Sequence, residues 1–552
     1  MSNNITTSKS FNFFIAISVA ILTTGFLRLQ LFTGLPDLDD GLYVFINQYI
    51  YHALSNGEDL KGMTIQLYQM MTFWLYGLEV NQYISLRLID GLLAVAASFI
   101  FFKVILKESG SILFTVILTT VLFILINNLE IIAYGFKNSI WAAYIPLFTA
   151  LLVWQKASKV DSFSFYIIGA LVSLGVLLRE PFLPFFLLAG VAIFISYGWR
   201  VLVKYLVGSA ILGFSVFAVV LSFRGWDLID LLNSYFSQGI FGAAGLWWIW
   251  DIDATSKLVL GWALNTIKTS WFICITALAS IIYLVKAYSA DKKSVNMNRF
   301  YFWLAVALIP LLEPSLKLSF PYHFTNCLPG LVGLSAMGWR YINSNESKQV
   351  TTSSIVVISL VSLFIIMPTI SRTIIKSDYI YTPSDVIDWS SATNPLTPWT
   401  ELIGINQYLI LATKVYELSR ESSNYSKRVT LSTNAGSQAI YPITKLLPPT
   451  YKLSDLDYLY AHLNFNEAKL TKILEEHRPA LVMIIDTPLS ITTQSNNFPK
   501  KESKFSLKQK NIEKLNNIIE KMNLYDKVAI IPANPKINYG WKSGIIYRLK
   551  KE

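Results

Sequence analysis

The apolar run Phe11-Asn-Phe-Phe-Ile-Ala-Ile-Ser-Val-Ala-Ile-Leu-Thr-Thr-Gly-Phe-Leu27, and the acidic segment Pro36-Asp37-Leu38-Asp39-Asp40-Gly41-Leu42-Tyr43 after it, decide how this chain is read. The run is long enough to begin a membrane crossing and is preceded by Lys9. No convincing small-residue cleavage site follows it, so it reads as a retained first helix rather than a signal peptide. Further apolar segments recur, giving candidate spans at 11–32, 83–105, 111–129, 138–154, 164–179, 182–199, 203–222, 267–286, 300–314, 324–341 and 352–370. The segment 300–314 is short, and Arg179-Glu180-Pro181 interrupts 164–199. The expected fold is an α-helical polytopic membrane protein with about eleven transmembrane helices.

Composition agrees. Hydrophobic residues make up 53% of the 552 residues and charged residues only 15%, against about 25% charged in soluble domains. A net charge of +11 would suggest nucleic acid in a soluble protein. Here no nucleic-acid motif is present, and Lys and Arg collect in alternate connections, as in cytosolic loops of membrane proteins. With the N-terminus inside, those connections hold Lys103 and Lys107, Lys156 and Lys159, Arg200 and Lys204, Lys286 to Arg299, and Arg340 with Lys348. The first outer loop is acidic instead. An odd number of spans then puts residues 371–552 outside the cytosol.

Two modules follow: 1–370 in the membrane and 371–552 as an extracytoplasmic α/β domain. In the second, Asn466–His477 and Lys508–Met522 read as helices. Leu481–Asp486, Lys527–Ile531 and Gly544–Arg548 read as strands. No Gly-rich phosphate loop is present; Asn434-Ala-Gly436 is too short a signal for one. The two cysteines, Cys274 and Cys327, lie in apolar stretches and form no disulfide framework.

Chemistry concentrates at the outer surface. Asp37, Asp39 and Asp40 follow directly on a membrane helix, and Val44–Leu54 reads as an amphipathic helix at the interface. Carboxylates fixed there can deprotonate a hydroxyl or bind a divalent cation. An acidic patch that orients the first helix, or caps the next, accounts for the same residues. Arg87 and Asp90 stand one helical turn apart, as do Glu313 and Lys317, while Lys137, Arg179, Glu180 and Arg224 map to outer helix ends. Such charges pair, snorkel, or hold a lipid phosphate. The loop 223–266 carries Trp226, Trp247, Trp248, Trp250 and Trp262 beside Asp251 and Asp253, as an interfacial anchor or a sugar-stacking surface. His323, in Phe320-Pro-Tyr-His-Phe324, opens an outer-facing span as an acid, a phosphate ligand or an interfacial hydrogen bonder.

Several of these segments together resemble the GT-C glycosyltransferases, in particular protein O-mannosyltransferases and lipid A aminoarabinose transferases. They are the acidic loop after one helix, Ser85-Leu-Arg-Leu-Ile-Asp-Gly-Leu-Leu93, Gly175-Val-Leu-Leu-Arg-Glu-Pro181 and Pro321-Tyr-His-Phe-Thr-Asn-Cys-Leu-Pro-Gly330. Two departures stand out: the family's second carboxylate is usually Glu, here Asp40, and the order here is Tyr-His rather than His-Tyr. The resemblance implies a polyprenyl-phosphate-linked sugar as donor, membrane lipid around it, and a glycan, lipid or protein as acceptor. It implies Asp39 or Asp40 as general base in an inverting attack on the anomeric carbon. It also implies cationic stabilisation of the leaving phosphate by Arg87, Lys137, Arg179 or His323. Some relatives use a divalent metal (Mn²⁺ or Mg²⁺) and others none, which leaves the metal open. A transporter or flippase, or a lipid-linked polysaccharide polymerase or ligase, is the competing expectation. The chain ends without a eukaryotic retention signal, so a bacterial inner membrane is the expected location.

Overall fold

The computed structural model describes residues 9–25, 38–58, 60, 63, 67–78, 82–127, 138–157, 163–179, 182–223, 225–229, 232, 260–261, 263–264, 266–292, 295–311, 324–345, 412, 414–419, 429–432, 440–454, 456, 459, 463, 466–486, 504–532 and 543–550. The described chain is mostly helical. Helix α1 (Lys9–Val19) runs into a π-helical turn, Ala20–Gly25. Then come α2 (Leu38–Ser55), α3 (Leu67–Thr72) with a 3₁₀ turn Phe73–Leu78, α4 (Gln82–Ser109) and α5 (Ile112–Ile126). Next are α6 (Asn138–Trp154), α7 (Phe163–Leu178), α8 (Leu183–Tyr197), α9 (Trp199–Phe223) and α10 (Trp271–Ala290). The bundle closes with α11 (Met297–Leu308) and α12 (Leu328–Asn345). Every candidate span from the first to 324–341 overlaps one of these helices, with 26–32, 128–129 and 312–314 outside the described residues; 352–370 lies wholly outside them. Among the described residues, three helical segments are long and apolar enough to cross a membrane: Ser85–Ser109, Trp199–Phe223 and Trp271–Ala290.

The bundle is apolar outside, and many of its buried hydroxyls bond to backbone inside. Along α8, Leu183, Leu187, Val191 and Phe194 form one exposed stripe, and along α10 so do Trp271, Ile275, Leu278, Ile282 and Val285. Phe214 on α9 is 73% exposed. Buried hydroxyls bond to the carbonyl one turn back, as in Thr119 to Thr115 (2.7 Å) and Ser270 to Thr266 (2.6 Å). Close backbone approach packs these apolar helices. Gly169 on α7 and Gly208 on α9 supply it: a Cβ at Gly169 would run into the Tyr205 carbonyl, and one at Gly208 into that of Tyr166. The Ser209 hydroxyl crosses the same seam to the Gly169 carbonyl at 2.9 Å.

One end of the bundle gathers the basic connections. Glu108, at the end of α4, is buried and pairs with Arg299 of α11 at 3.0 Å. The Gln155 amide, just past α6, donates to the same Glu108 oxygen at 2.7 Å. Arg340 of α12 donates to the Lys107 carbonyl at 3.2 Å. Asn298 donates to Ser196 at the end of α8 at 3.1 Å. Lys103 lies over the Phe13 ring, bringing the start of α1 to this end as well. On α4, Arg87 stands 20 residues before Lys107, or about 30 Å of helix, which matches the hydrocarbon thickness of a bilayer.

The C-terminal part is a four-stranded mixed sheet in the order β1-β2-β4-β3. The strands are β1 (Val429–Ser432), β2 (Leu481–Asp486), β3 (Tyr525–Pro532) and β4 (Ser543–Leu549). β1 runs parallel to β2, and β4 is antiparallel to both its neighbours. Three further helices are α13 (Ile440–Thr444), α14 (Glu467–His477) and α15 (Lys504–Lys521). Asn466 caps α14 by accepting from the Lys469 amide at 3.0 Å. The period-two alternation of β2 splits its side chains between two cores. Val482 and Ile484 pack with Leu470, Leu474, Leu515 and Ile519 beneath α14 and α15. Leu481 and Met483 face the other way, into a core shared with α2.

Candidate functional site

Helix α2 is the centre of the candidate site. The sequence places an acidic loop before an interfacial helix starting near Val44; the structure starts the helix at Leu38, so Asp39 and Asp40 occupy its first turn. Their side chains lie outside the described residues. Nor is the helix a half-exposed interfacial one: residues 43–50 are all buried. The reason is that both its faces are covered. Tyr43, Asn47 and Tyr51, at i, i+4 and i+8, meet Tyr68, Thr72 and Tyr76, spaced alike on the facing element. The Tyr43 and Tyr68 rings are 6.2 Å apart, Asn47 and Thr72 hydrogen-bond at 3.2 Å, and the Tyr51 and Tyr76 rings are 5.7 Å apart. The opposite face carries Phe45 and Gln48 against the C-terminal domain. Phe45 stacks on Tyr441 with centroids 4.8 Å apart, and Gln48 Nε2 donates to the Leu446 carbonyl at 3.1 Å.

Behind α2 lies a set of buried polar side chains. Asn47, Gln48, Gln69 and Thr72 are each 5% exposed or less. Arg87 and Asp90, in the first turns of α4, are also buried, at 3% and 0% exposure, one turn apart as the sequence indicates. Leu86, next to Arg87, packs in the α2 core. The Oε1 atoms of Gln48 and Gln69 accept no hydrogen bond among the described residues. Buried polar groups normally find partners, so this is a site with acceptor capacity to spare. Burial pushes the pKa of the Tyr76 hydroxyl upward, and its hydrogen bond with Gln48 offsets part of that.

Arg179 directly follows α7 and is half-buried. Its carbonyl accepts from the Phe182 amide at 3.1 Å, turning the chain into α8. It lies near enough to Tyr144 of α6 to interact electrostatically. The Tyr144 hydroxyl donates to Asn326 at 3.1 Å, which ties α6 to the 3₁₀ turn (Thr325–Cys327) three residues beyond His323 in sequence. A cavity of about 30 Å³ lies between these residues, Phe182 and Pro310. Tyr68 packs in the same core as Trp141, Tyr144 and Phe182, and α3 touches both α2 and α7, which joins the acidic helix to the Arg179 corner. An open apolar groove of about 490 Å³ runs between α7, α8 and α9, lined by Leu177, Phe186, Phe214 and Phe217 with Ser173 and Ser209.

Of the residues singled out in the sequence, the structure buries Arg87 on α4, a helix that touches α2, and sets Arg179 just past the end of α7. Lys137, His323, Asp37, Glu180, Arg224, Asp251, Asp253, Glu313 and Lys317 lie outside the described residues. Among the described residues no three His, Cys, Asp or Glu side chains form a metal-sized group. Sequence reasoning missed Asn47, Gln48, Gln69 and Thr72. Their signal was available: adjacent amides inside an otherwise apolar helix are costly unless they are bonded. A scan against protein-family models and a search of curated proteins each found no match to this chain.

Proposed function

We propose that the chain is an integral membrane glycosyltransferase of GT-C type, moving a sugar from a polyprenyl-phosphate donor to an acceptor hydroxyl at the outer face. In this reading Asp39 or Asp40 takes the hydroxyl proton, the oxygen bonds the anomeric carbon with inversion, and the lipid phosphate leaves with the electrons of the broken C–O bond. Arg87 and Arg179, with Lys137 and His323, supply positive charge for that phosphate. A phosphate is a good leaving group, so no general acid is needed. The about eleven crossings, the cytosolic N-terminus, the outer C-terminal domain and the bacterial inner membrane belong to the same proposal.

The observation that carries it is the placement of the acidic pair. It opens a helix that carries the buried amides Asn47 and Gln48 and touches α4, on which Arg87 is buried about one bilayer thickness from the basic end. An apolar groove beside α7, ending two residues from Arg179, suits a lipid chain with an anionic head. The test is transfer of radiolabelled sugar from defined polyprenyl-phosphate donors by the purified protein, with and without Mg²⁺ or Mn²⁺. Transfer supports the reading. No transfer from any donor, with membrane-extracted acceptors present, overturns it in favour of transport or assembly.

A further inference from the structure

The C-terminal domain is not a separate bead on the outer surface. Its sheet and α2 share one core, and the contacts form a short physical path. The Tyr441 hydroxyl is held by two carbonyls, Val429 of β1 at 3.1 Å and Ser454 at 3.2 Å. The ring of Tyr441 stacks on Phe45, five residues from Asp40. One turn further along α2, Gln48 reaches the Leu446 carbonyl. Phe45, Gln48, Tyr441 and Leu446 are all at most 2% exposed. The other face of α2 rests on α3 and its 3₁₀ turn, so this helix is clamped between the membrane module and the sheet.

We infer that the C-terminal domain is a positioning element for the acidic pair: by docking on Phe45 and Gln48 it fixes the first turn of α2, where Asp39 and Asp40 stand. The assignment of a catalytic role to that pair rests on the transferase reading; the clamp itself does not. Phe45, Gln48 and Tyr441 are positioning residues. Packed, bonded contacts of this kind are what hold a reacting group to the fraction of an ångström that proton transfer requires. A domain bound to α2 in this way also has a route by which acceptor engagement reaches the base.

The test is hydrogen exchange with mass spectrometry on the full-length protein in nanodiscs, alongside donor kinetics. The variants are Gln48→Leu, Tyr441→Ala and Tyr441→Phe. Gln48→Leu and Tyr441→Ala are expected to speed exchange over 38–50 by about fivefold or more, the equivalent of one lost hydrogen bond. Exchange near Glu108 and in β2 and β4 stays unchanged, which excludes global unfolding. Tyr441→Phe keeps the ring and restores slow exchange. Turnover falls in the first two variants while donor KM holds. Unchanged exchange over 38–50 in both Gln48→Leu and Tyr441→Ala overturns the clamp. Faster exchange with unchanged turnover overturns the positioning role and leaves the transferase reading intact. Where the wild type transfers no sugar, the transferase reading fails by itself, and the exchange data alone decide the clamp.

Discussion

The ion pair between Glu108 and Arg299 predicts an asymmetry between its two partners. The Glu108 side chain is 4% exposed, whereas that of Arg299 is 36% exposed. In Arg299→Met the carboxylate stays buried and keeps only the Gln155 amide donor at 2.7 Å. Removing one partner of a fully buried pair costs about 3–5 kcal/mol; the exposure of Arg299 already screens the pair, which reduces the figure to about 2 kcal/mol. In Glu108→Gln the new amide oxygen still accepts from Gln155. Its new N–H₂ gains a neighbouring acceptor by rotation of Gln155, whose Oε1 accepts no hydrogen bond among the described residues. The guanidinium of Arg299 turns toward water, so the cost is about 1 kcal/mol or less. The double variant leaves no buried charge and falls no further than Arg299→Met alone, a non-additivity expected of contacting residues. Thermal unfolding in one detergent, or in nanodiscs, gives the order: wild type highest, Glu108→Gln next, Arg299→Met lowest. Equal losses in the two single variants, or a double variant at the sum of both, would refute the reasoning.

Two further predictions concern packing and pH. Gly208→Ala puts a methyl group into the Tyr166 carbonyl and is expected to lower thermal stability or folded yield sharply, whereas Gly190→Ala meets Tyr205 at an ordinary 3.5 Å and is neutral or stabilising by up to about 1 kcal/mol; similar losses in both would remove the close approach of α7 and α9 from the account. In the C-terminal domain, burial raises the hydroxyl pKa of both Tyr525 and Tyr547. The folded state therefore holds these protons more tightly than the unfolded state does. Their contribution is present below the unfolded pKa of about 10 and is lost as pH rises above it. Tyr525→Phe, whose hydroxyl has no hydrogen-bond partner among the described residues, should blunt the alkaline loss without destabilising at neutral pH. Tyr547→Phe should cost stability at neutral pH, because its hydroxyl donates to Asn516 or Glu520. Alkaline melts of the two variants beside wild type check both.

Much of the helix plan was legible because long apolar runs interrupted by charge leave little choice in lipid. Thus Arg179-Glu180-Pro181 marks the break between α7 and α8, and Asn466 marks the cap of α14. The strand at Leu481–Asp486 was readable as a continuous apolar run bounded by turn signals, the form of a strand buried on both faces. What remained hidden was tertiary. Gly41 and the cluster of acids made 36–43 look like a loop, whereas the structure starts α2 at Leu38, so Asp39 to Tyr43 are already helical. The burial of α2 depends on Tyr441 and Leu446, some four hundred residues away in sequence, and no local pattern encodes that pairing. Glu108 was passed over among Lys103 and Lys107; a single carboxylate in a basic connection was the clue to an internal pair. For the candidate site, the spacing of Arg87 and Asp90 could be read directly; the adjacent amides Asn47 and Gln48 left a signal in an apolar run, but not the identity of their partners.

The most direct test of the central claim is sugar transfer and donor binding by wild type, Asp39→Asn and Asp40→Asn, measured side by side. The account predicts that one of the two variants loses transfer while binding the polyprenyl-phosphate donor as wild type does, which identifies the base. Transfer at wild-type rate in both variants would contradict it and leave the acidic turn as a topological feature.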